Sequence, residues 1–176
     1  MPAIRDEYQA HELDCFVPLR SFWTAIEPFK HIEFIDCGAG NGQLTAEMSQ
    51  RGFKVRAVDI RALPSAFSFV ERDDALTCGF SETCWPIIAC PGPGTWHIRL
   101  IHKALVYRAN AFYVGFDSEI ERDLTDFSNM TKKLDIDTGR YGESLVLIDR
   151  SKSDRHRKLR KKENSCPTST FPNRLF

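Results

Sequence analysis

Apolar positions along this chain recur in two rhythms. Between residues 5 and 29, Tyr8, Leu13, Phe16, Leu19, Phe22, Trp23 and Ile26 fall at helical spacing, which predicts one or two helices, broken near Pro18 and closed near Pro28. Short runs of strand length follow: Phe34-Ile35, the alternating Phe53, Val55 and Ala57 with Val58, then Phe67–Val70, Pro86–Cys90, Ala111–Phe116 and Ser144–Ile148. Helical patterns separate them. Gln43–Met48 is one, and Ile98, Ile101 and Leu105, backed by Leu100 and Ala104, mark the face of another. Ser118 is a fair N-cap for a third, beginning at Glu119. Strands alternating with helices predict an α/β domain with a mostly parallel sheet covered on both faces. For that architecture the chain is short, so an element is expected to be reduced between Ile60 and Phe67 or between Thr125 and Tyr141.

The turn after the first strand carries the chemistry. Phe34-Ile35-Asp36-Cys37 enters it, Gly38-Ala39-Gly40-Asn41-Gly42 turns the chain, and a helix leaves. Glycine is required where φ is positive or where a ligand approaches closer than a Cβ allows. A dinucleotide fingerprint wants G-x-G-x-x-G, with the helix N-terminus facing a pyrophosphate. Here the third glycine comes one residue early, at Gly42, and Asp36 stands two residues before the first. A carboxylate there opposes a pyrophosphate and suits a ligand with positive charge. Asp59 closes the second strand, where a carboxylate accepts hydrogen bonds from vicinal ribose hydroxyls in either cofactor class.

The pattern Asp-x-Gly-x-Gly-x-Gly resembles the first motif of the class I S-adenosylmethionine-dependent methyltransferases, a Rossmann-like α/β fold. The resemblance covers about residues 30–95 and continues beyond only in the rhythm of elements. It implies that Gly38, Ala39, Gly40 and Gly42, with Asn41, approach the methionine and ribose portion of S-adenosylmethionine, and that Asp36 helps fix the charged amino-acid end. It also implies an acidic contact to the adenine amino group after the third strand, at Asp74 with Asp73 as second choice. Ile60 and Ala75 complete the implied cofactor set. No metal is implied.

In an open sheet of this kind, ligands lie outside the carboxyl ends of the strands. Cys90-Pro91-Gly92-Pro93-Gly94-Thr95-Trp96 is therefore the expected acceptor-facing loop, a stiff wall with Trp96 available to stack on a planar acceptor. The amino-methylating nucleic-acid enzymes carry Asn/Asp/Ser-Pro-Pro-aromatic here, and the cytosine-C5 enzymes place their cysteine after a proline; this chain follows neither. Candidate catalytic residues are Cys90 and Pro91 in the loop and His97 just after it, the one candidate base. Three functions compete: transfer of a methyl group to an unidentified acceptor, a non-catalytic S-adenosylmethionine-binding or interaction protein of the same fold, and a nucleotide-dependent oxidoreductase. The early third glycine and Asp36 count against the last.

Composition narrows the setting. The chain has 176 residues, 42% of them hydrophobic, enough for one compact domain over residues 1–149. It shows no apolar run of membrane-spanning length and no apolar signal segment, so a cytoplasmic protein without membrane contact is expected. The six cysteines include no Cys-x-x-Cys pair, and the spacing of Cys78, Cys84 and Cys90 fits no metal pattern, so reduced thiols are expected. Formal charge sums to zero yet is unevenly placed: residues 1–149 carry 15 Lys/Arg against 22 Asp/Glu, residues 150–176 carry 9 against 2. The basic tail 150–176 is expected to stay mobile, for want of apolar residues to pack. From Pro93 through Phe116 there is no acidic residue, while His97, Arg99, His102, Lys103 and Arg108 follow one another along the predicted helix. Tail and helix are the two candidate contacts to nucleic acid, or surfaces that are merely solvated or paired with the acidic body. Oligomeric state is not legible.

Overall fold

A computed structural model of the chain describes residues 18, 20–61, 67–91, 94–134, 136 and 143–152. A seven-stranded sheet forms its centre, with β1 (Glu33–Cys37), β2 (Lys54–Val58), β3 (Val70–Glu71), β4 (Cys84–Ala89), β5 (Ala111–Phe116), β6 (Thr131–Leu134) and β7 (Glu143–Ile148) in the order β3-β2-β1-β4-β5-β7-β6. β3, β2, β1, β4 and β5 are parallel; β7 runs antiparallel to β5 and to β6. Helices α1 (Arg20–Ile26), α2 (Gln43–Gln50), α3 (Trp96–Val106) and α4 (Asp117–Asp123) connect and cover it, with short 3-10 turns at Glu27–Phe29 and Thr125–Phe127. The expected mostly parallel α/β sheet is what forms.

The central strands are apolar on both faces because both are covered. Residues 111–115 of β5 and all six residues of β7 are buried. Phe34, Phe112, Trp85 and the half-buried Phe29 form a chain of aromatic contacts with centroids 5.2–6.3 Å apart, and full burial of a large side chain, as at Phe34 and Phe112, is worth about 1.5–3 kcal/mol. α1 buries Phe22, Trp23 and Ile26 and gives way at Pro28 to a 3-10 turn, whereas residues 5–17 of the expected helical stretch lie outside the described residues. β4 pairs with β5 only from Ile87 onward, the residue after Pro86, whose ring has no N–H to donate.

Three expectations about elements are corrected. Phe67–Phe69 is a turn, not a strand: Val70 N donates to Phe67 O across 3.0 Å, and β3 holds only Val70 and Glu71. Ser118 is not an N-cap but lies inside α4, which starts at Asp117, with the Glu119 carboxylate accepting from Phe116 N at 3.2 Å. A strand unread in the sequence, β6, lies between Thr125 and Tyr141, one of the two stretches where an element was expected to be reduced. Its Lys132 and Lys133 are exposed on the sheet edge, a charged border that discourages pairing with another chain and shows no apolar alternation.

The start of the basic tail is fastened to the domain. Arg150 N donates to Asn110 Oδ1 at 3.0 Å and Lys152 Nζ to Thr131 O at 3.1 Å, and 153–176 lie outside the described residues. Among the described residues no helix is long and apolar enough to cross a membrane, and no group of three or more His, Cys, Asp or Glu is arranged to hold a metal ion. Cys37, Cys78, Cys84 and Cys90 are free thiols.

Candidate functional site

The turn after β1 is laid across the end of β2. Gly38 N and Ala39 N both donate to Val58 O, at 2.9 and 3.2 Å, Gly42 N returns to Ala39 O at 2.8 Å, and Gly40 N donates to Asp59 Oδ2 at 2.8 Å. The glycines have different duties. A Cβ on Gly40, whose φ is +56°, would meet nothing within 4 Å, so this residue faces open space. Gly42, with φ +86°, is closed by packing, since a Cβ there would stand 2.6 Å from Val70 Cγ2 and 3.0 Å from Phe69 Cε2. Gly38 lies beneath the Trp96 indole, whose Cη2 would be 3.1 Å from an added Cβ. Asn41 serves the turn itself: its Oδ1 accepts from Gln43 N at 3.0 Å and its carbonyl from Phe67 N at 3.0 Å.

Asp59, just past β2, is tied at both carboxylate oxygens, Oδ2 to Gly40 N and Oδ1 to Arg61 N at 2.7 Å. Its own N–H and that of Asp73 both donate to Glu71 O at 3.0 Å, which brings the ends of β2 and β3 together. Asp73 Oδ1 accepts from Asp74 N at 2.7 Å, and Asp74 Oδ1 from Leu76 N at 2.9 Å, so both acidic residues shape the loop after β3. Lys103 of α3 pins that loop from below through Leu76 O at 2.6 Å and Cys78 O at 2.7 Å. Ile60 is 62% exposed, and Ala75 is buried.

Asp36 occupies a different level. It is 2% exposed, under the glycine turn, and its Oδ2 accepts from Thr45 Oγ1 of α2 at 2.8 Å. Burial pushes its carboxyl up to about 6, against the hydrogen bonds from Thr45, and the neighbouring Asp59 charge adds to the rise. Asp36 is therefore a buried support of the turn, joined to α2 through Thr45.

On the acceptor side the structure rearranges the sequence picture. Cys90 follows β4 with φ +49°, a left-handed backbone rare for a residue with a side chain, and its thiol donates to Glu143 Oε1 at 3.1 Å. Pro91 is half-buried beside it; Gly92 and Pro93 lie outside the described residues. His97 does not lie at the surface. It is 2% exposed, with Nε2 2.9 Å from Asp123 Oδ2 and its ring 5.7 Å from that of Tyr113, and Nδ1 has no hydrogen-bond partner among the described residues. Arg122 clamps the same carboxylate at 2.6 Å and 3.1 Å and, ahead of His97, holds the Asp123 carboxyl below the usual range. This pair joins α3 to α4 and β5, so the expectation of His97 as an accessible base is corrected.

The basic residues along and just after α3 likewise do not form one face. Lys103 is spent on the loop after β3, Arg108 contacts Glu82 at 3.4 Å, the His102 ring packs on Phe127 with centroids 4.6 Å apart, and Arg99 is exposed. Sequence reasoning missed Glu143, Asp123 and the seat of Trp96 on Gly38. The only trace of Glu143 is an acidic residue immediately before an apolar run.

No protein-family model matches the chain, and no curated protein matches it. Solved structures do. Human N-acetylserotonin methyltransferase in complex with SAM aligns with a TM-score of 0.54 at 16% identity, over 74% of this chain and 50% of that one. A 16S rRNA N2 methyltransferase of T. thermophilus, in complex with AdoMet and guanosine, aligns at 0.53 and 11% identity, over 85% and 40%. Magnesium protoporphyrin IX methyltransferase from Synechocystis, with bound SAM, aligns at 0.50 and 15% identity, over 73% and 74%. The fold is that of the class I S-adenosylmethionine-dependent methyltransferases. In this methyltransferase fold the glycine turn, Asp59, Asp74 and Cys90 all stand at the carboxyl ends of the parallel strands, the edge where an open α/β sheet binds ligands.

Proposed function

We propose that this protein binds S-adenosylmethionine at the turn between β1 and α2 and transfers its methyl group to an acceptor held beyond β4. One observation carries the reading: Gly40 faces open space while its N–H is locked to Asp59, so the cradle and the ribose-binding carboxylate are one hydrogen-bonded unit. The neighbours of this fold add support, since several were solved with SAM or AdoMet.

The residues present fit that cofactor. Gly38 to Gly42 would line the methionine and ribose portion, Asp59 has further lone pairs for the ribose hydroxyls, Ile60 offers apolar surface to the base with the buried Ala75 behind the loop, and Asp74 or Asp73 an acceptor for its amino group. Asp36 contributes negative potential under the charged end. S-adenosylmethionine supplies an electrophilic methyl on a sulfonium centre. The protein's part is alignment and exclusion of water, to which Pro91 and Trp96 contribute a stiff wall and a flat one.

A second reading, a binding protein without transfer, draws on the Trp96 indole seated over Gly38 and on the unfamiliar Cys90-Pro91-Gly92-Pro93 loop. Calorimetry with S-adenosylmethionine, S-adenosylhomocysteine and NAD tests the cofactor: both sulfur nucleosides should bind at micromolar levels and NAD should not. Radiolabelled transfer to cell extract then separates enzyme from binder, because saturable cofactor binding with no labelled product supports the second reading. A nucleic-acid acceptor draws its support from the balance of 9 basic against 2 acidic residues over 150–176.

A further inference from the structure

Trp96 opens α3 beyond the carboxyl end of β4, the strand beside β1, and its indole lies against the first residue of the glycine turn. A Cβ on Gly38 would stand 3.1 Å from Cη2 and 3.3 Å from Cζ2, and one on Gly94 would stand 3.9 Å from Cδ1, so the ring bridges the loops after β1 and β4. The next residue fixes its place. His97, 2% exposed and held to Asp123 at 2.9 Å, meets the indole edge-on, with centroids 5.9 Å apart and planes at 87°. Trp96 is half-buried and Gly38 exposed, so both keep accessible surface. Elsewhere the chain covers aromatic faces with its own cations: Arg51 lies 4.2 Å over Trp23, Lys30 5.4 Å over Phe53 and Lys103 5.6 Å over Phe80. Among the described residues no Lys or Arg stands over Trp96. Tryptophan is the aromatic side chain that attracts a cation best, the more strongly the less water intervenes.

We infer that Trp96 recognises the positive charge on the sulfur of the ligand, and so selects the charged methyl donor over its neutral thioether product. This rests on the reading of the turn as the S-adenosylmethionine site. In that reading Asp59, tied to Gly40, takes the ribose, and the sulfur is attached to the 5′ carbon of the same sugar. From Gly40 back to Gly38 the turn therefore leads from sugar to sulfur, and the indole stands at that end. S-adenosylmethionine and S-adenosylhomocysteine share base, ribose, ammonium and carboxylate; they differ by one methyl group and the charge it puts on sulfur. An apolar wall distinguishes them only by the methyl, whereas an indole face distinguishes them by the charge. Transfer removes that charge, which loosens the hold on the product and favours its release.

Calorimetry with the full chain and three ligands tests the assignment: S-adenosylmethionine, S-adenosylhomocysteine, and the analogue in which a carbon bearing an ammonium replaces the methylated sulfonium. The analogue carries the charge without the methyl. Wild-type protein should bind both cationic ligands at least about fivefold more tightly than S-adenosylhomocysteine, and Trp96→Leu should weaken both about tenfold and S-adenosylhomocysteine less than about threefold. Trp96→Phe keeps a ring with a weaker face and should fall between. If Trp96→Leu does not fold, replacing the three tryptophans by singly to triply fluorinated analogues decides, since Trp23 and Trp85 are buried in the core. Fluorine withdraws electron density from the ring at nearly constant shape, so affinity for the two cations should fall stepwise while that for S-adenosylhomocysteine stays level. Equal weakening of all three ligands by Trp96→Leu, weakening of S-adenosylmethionine with the ammonium analogue untouched, unchanged affinities, or a flat fluorine series would each overturn this role of Trp96 and leave the cofactor reading in place. Wild-type protein that binds none of the three overturns the cofactor reading itself.

Discussion

Two alanine substitutions only two residues apart in sequence, at Gly40 and Gly42, separate the cradle from its scaffold. At Gly42 an added methyl faces two penalties. With φ at +86° the left-handed backbone costs an L residue roughly 1–2 kcal/mol. The methyl would also lie 2.6 Å from Val70 Cγ2, and Val70 belongs to β3, so relief requires a shift of the strand, an overpacking cost of about 1–3 kcal/mol. Together these predict a loss of about 3 kcal/mol and, for a domain of this size, a Tm lower by on the order of 10 °C. At Gly40 the backbone cost is similar, with φ +56°, but nothing lies within 4 Å, so Gly40→Ala should lose only about 1 kcal/mol. Its methyl instead projects into the space assigned to the cofactor. Thermal melts of both variants and calorimetry with S-adenosylhomocysteine read the two effects independently. Gly40→Ala should stay folded near the wild-type Tm and bind at least about tenfold more weakly, a loss of about 1.4 kcal/mol. Wild-type affinity in Gly40→Ala would refute the placement of the ligand against this turn.

Four further outcomes follow from the same geometry. Asp59→Ala removes the acceptor of Gly40 N and the proposed ribose contact; S-adenosylhomocysteine binding measured by calorimetry should weaken by about 1.5–3 kcal/mol, and unchanged binding would remove Asp59 from the site. Asp36, held up to about 6 when folded against 3.8 ordinarily, keeps a proton between those values that the unfolded chain has lost, so stability should fall as pH rises from about 4 to about 6 and level off above. Asp36→Asn should abolish that slope in urea melts, gain on the order of 2 kcal/mol at pH 7 and weaken S-adenosylmethionine binding; an unaltered slope sinks the account. Asp123→Ala takes the shared acceptor from His97 and Arg122 and should cost about 3 kcal/mol in denaturant unfolding. Because the Asp123 carboxyl is held low, its contribution is present at neutral pH and is lost as pH falls through that depressed value. Deleting residues 153–176 should lower affinity for single-stranded RNA and flatten its salt dependence in filter binding, and equal affinity would argue against an anchoring tail.

The sequence by itself determined the local pieces. Apolar periodicity located β1, β2, β4, β5, β7, α2 and α3 to within a residue or two, because strand and helix burial imprint periods of about 2 and 3.6 on neighbouring positions. The glycine turn and Asp59 were legible for a related reason: a left-handed backbone demands glycine whatever surrounds it, and a strand end is marked by where its apolar run stops. β6 was not legible, since an edge strand protected by Lys132 and Lys133 carries no apolar alternation, and neither was the shortness of β3, whose Phe67 and Phe69 look like strand residues but stack on each other at 5.2 Å in a turn.

Tertiary structure alone decided what each polar residue faces. Cys90 and Glu143 are 53 positions apart and His97 and Asp123 are 26 apart, so no local pattern announces either pair. The order in which strands associate brought Glu143 to the ligand edge, sank Asp36 beneath the turn and set Trp96 on Gly38. Local backbone preference is written in a few adjacent residues, whereas the environment of a side chain is set by distant segments that meet only after the sheet has formed.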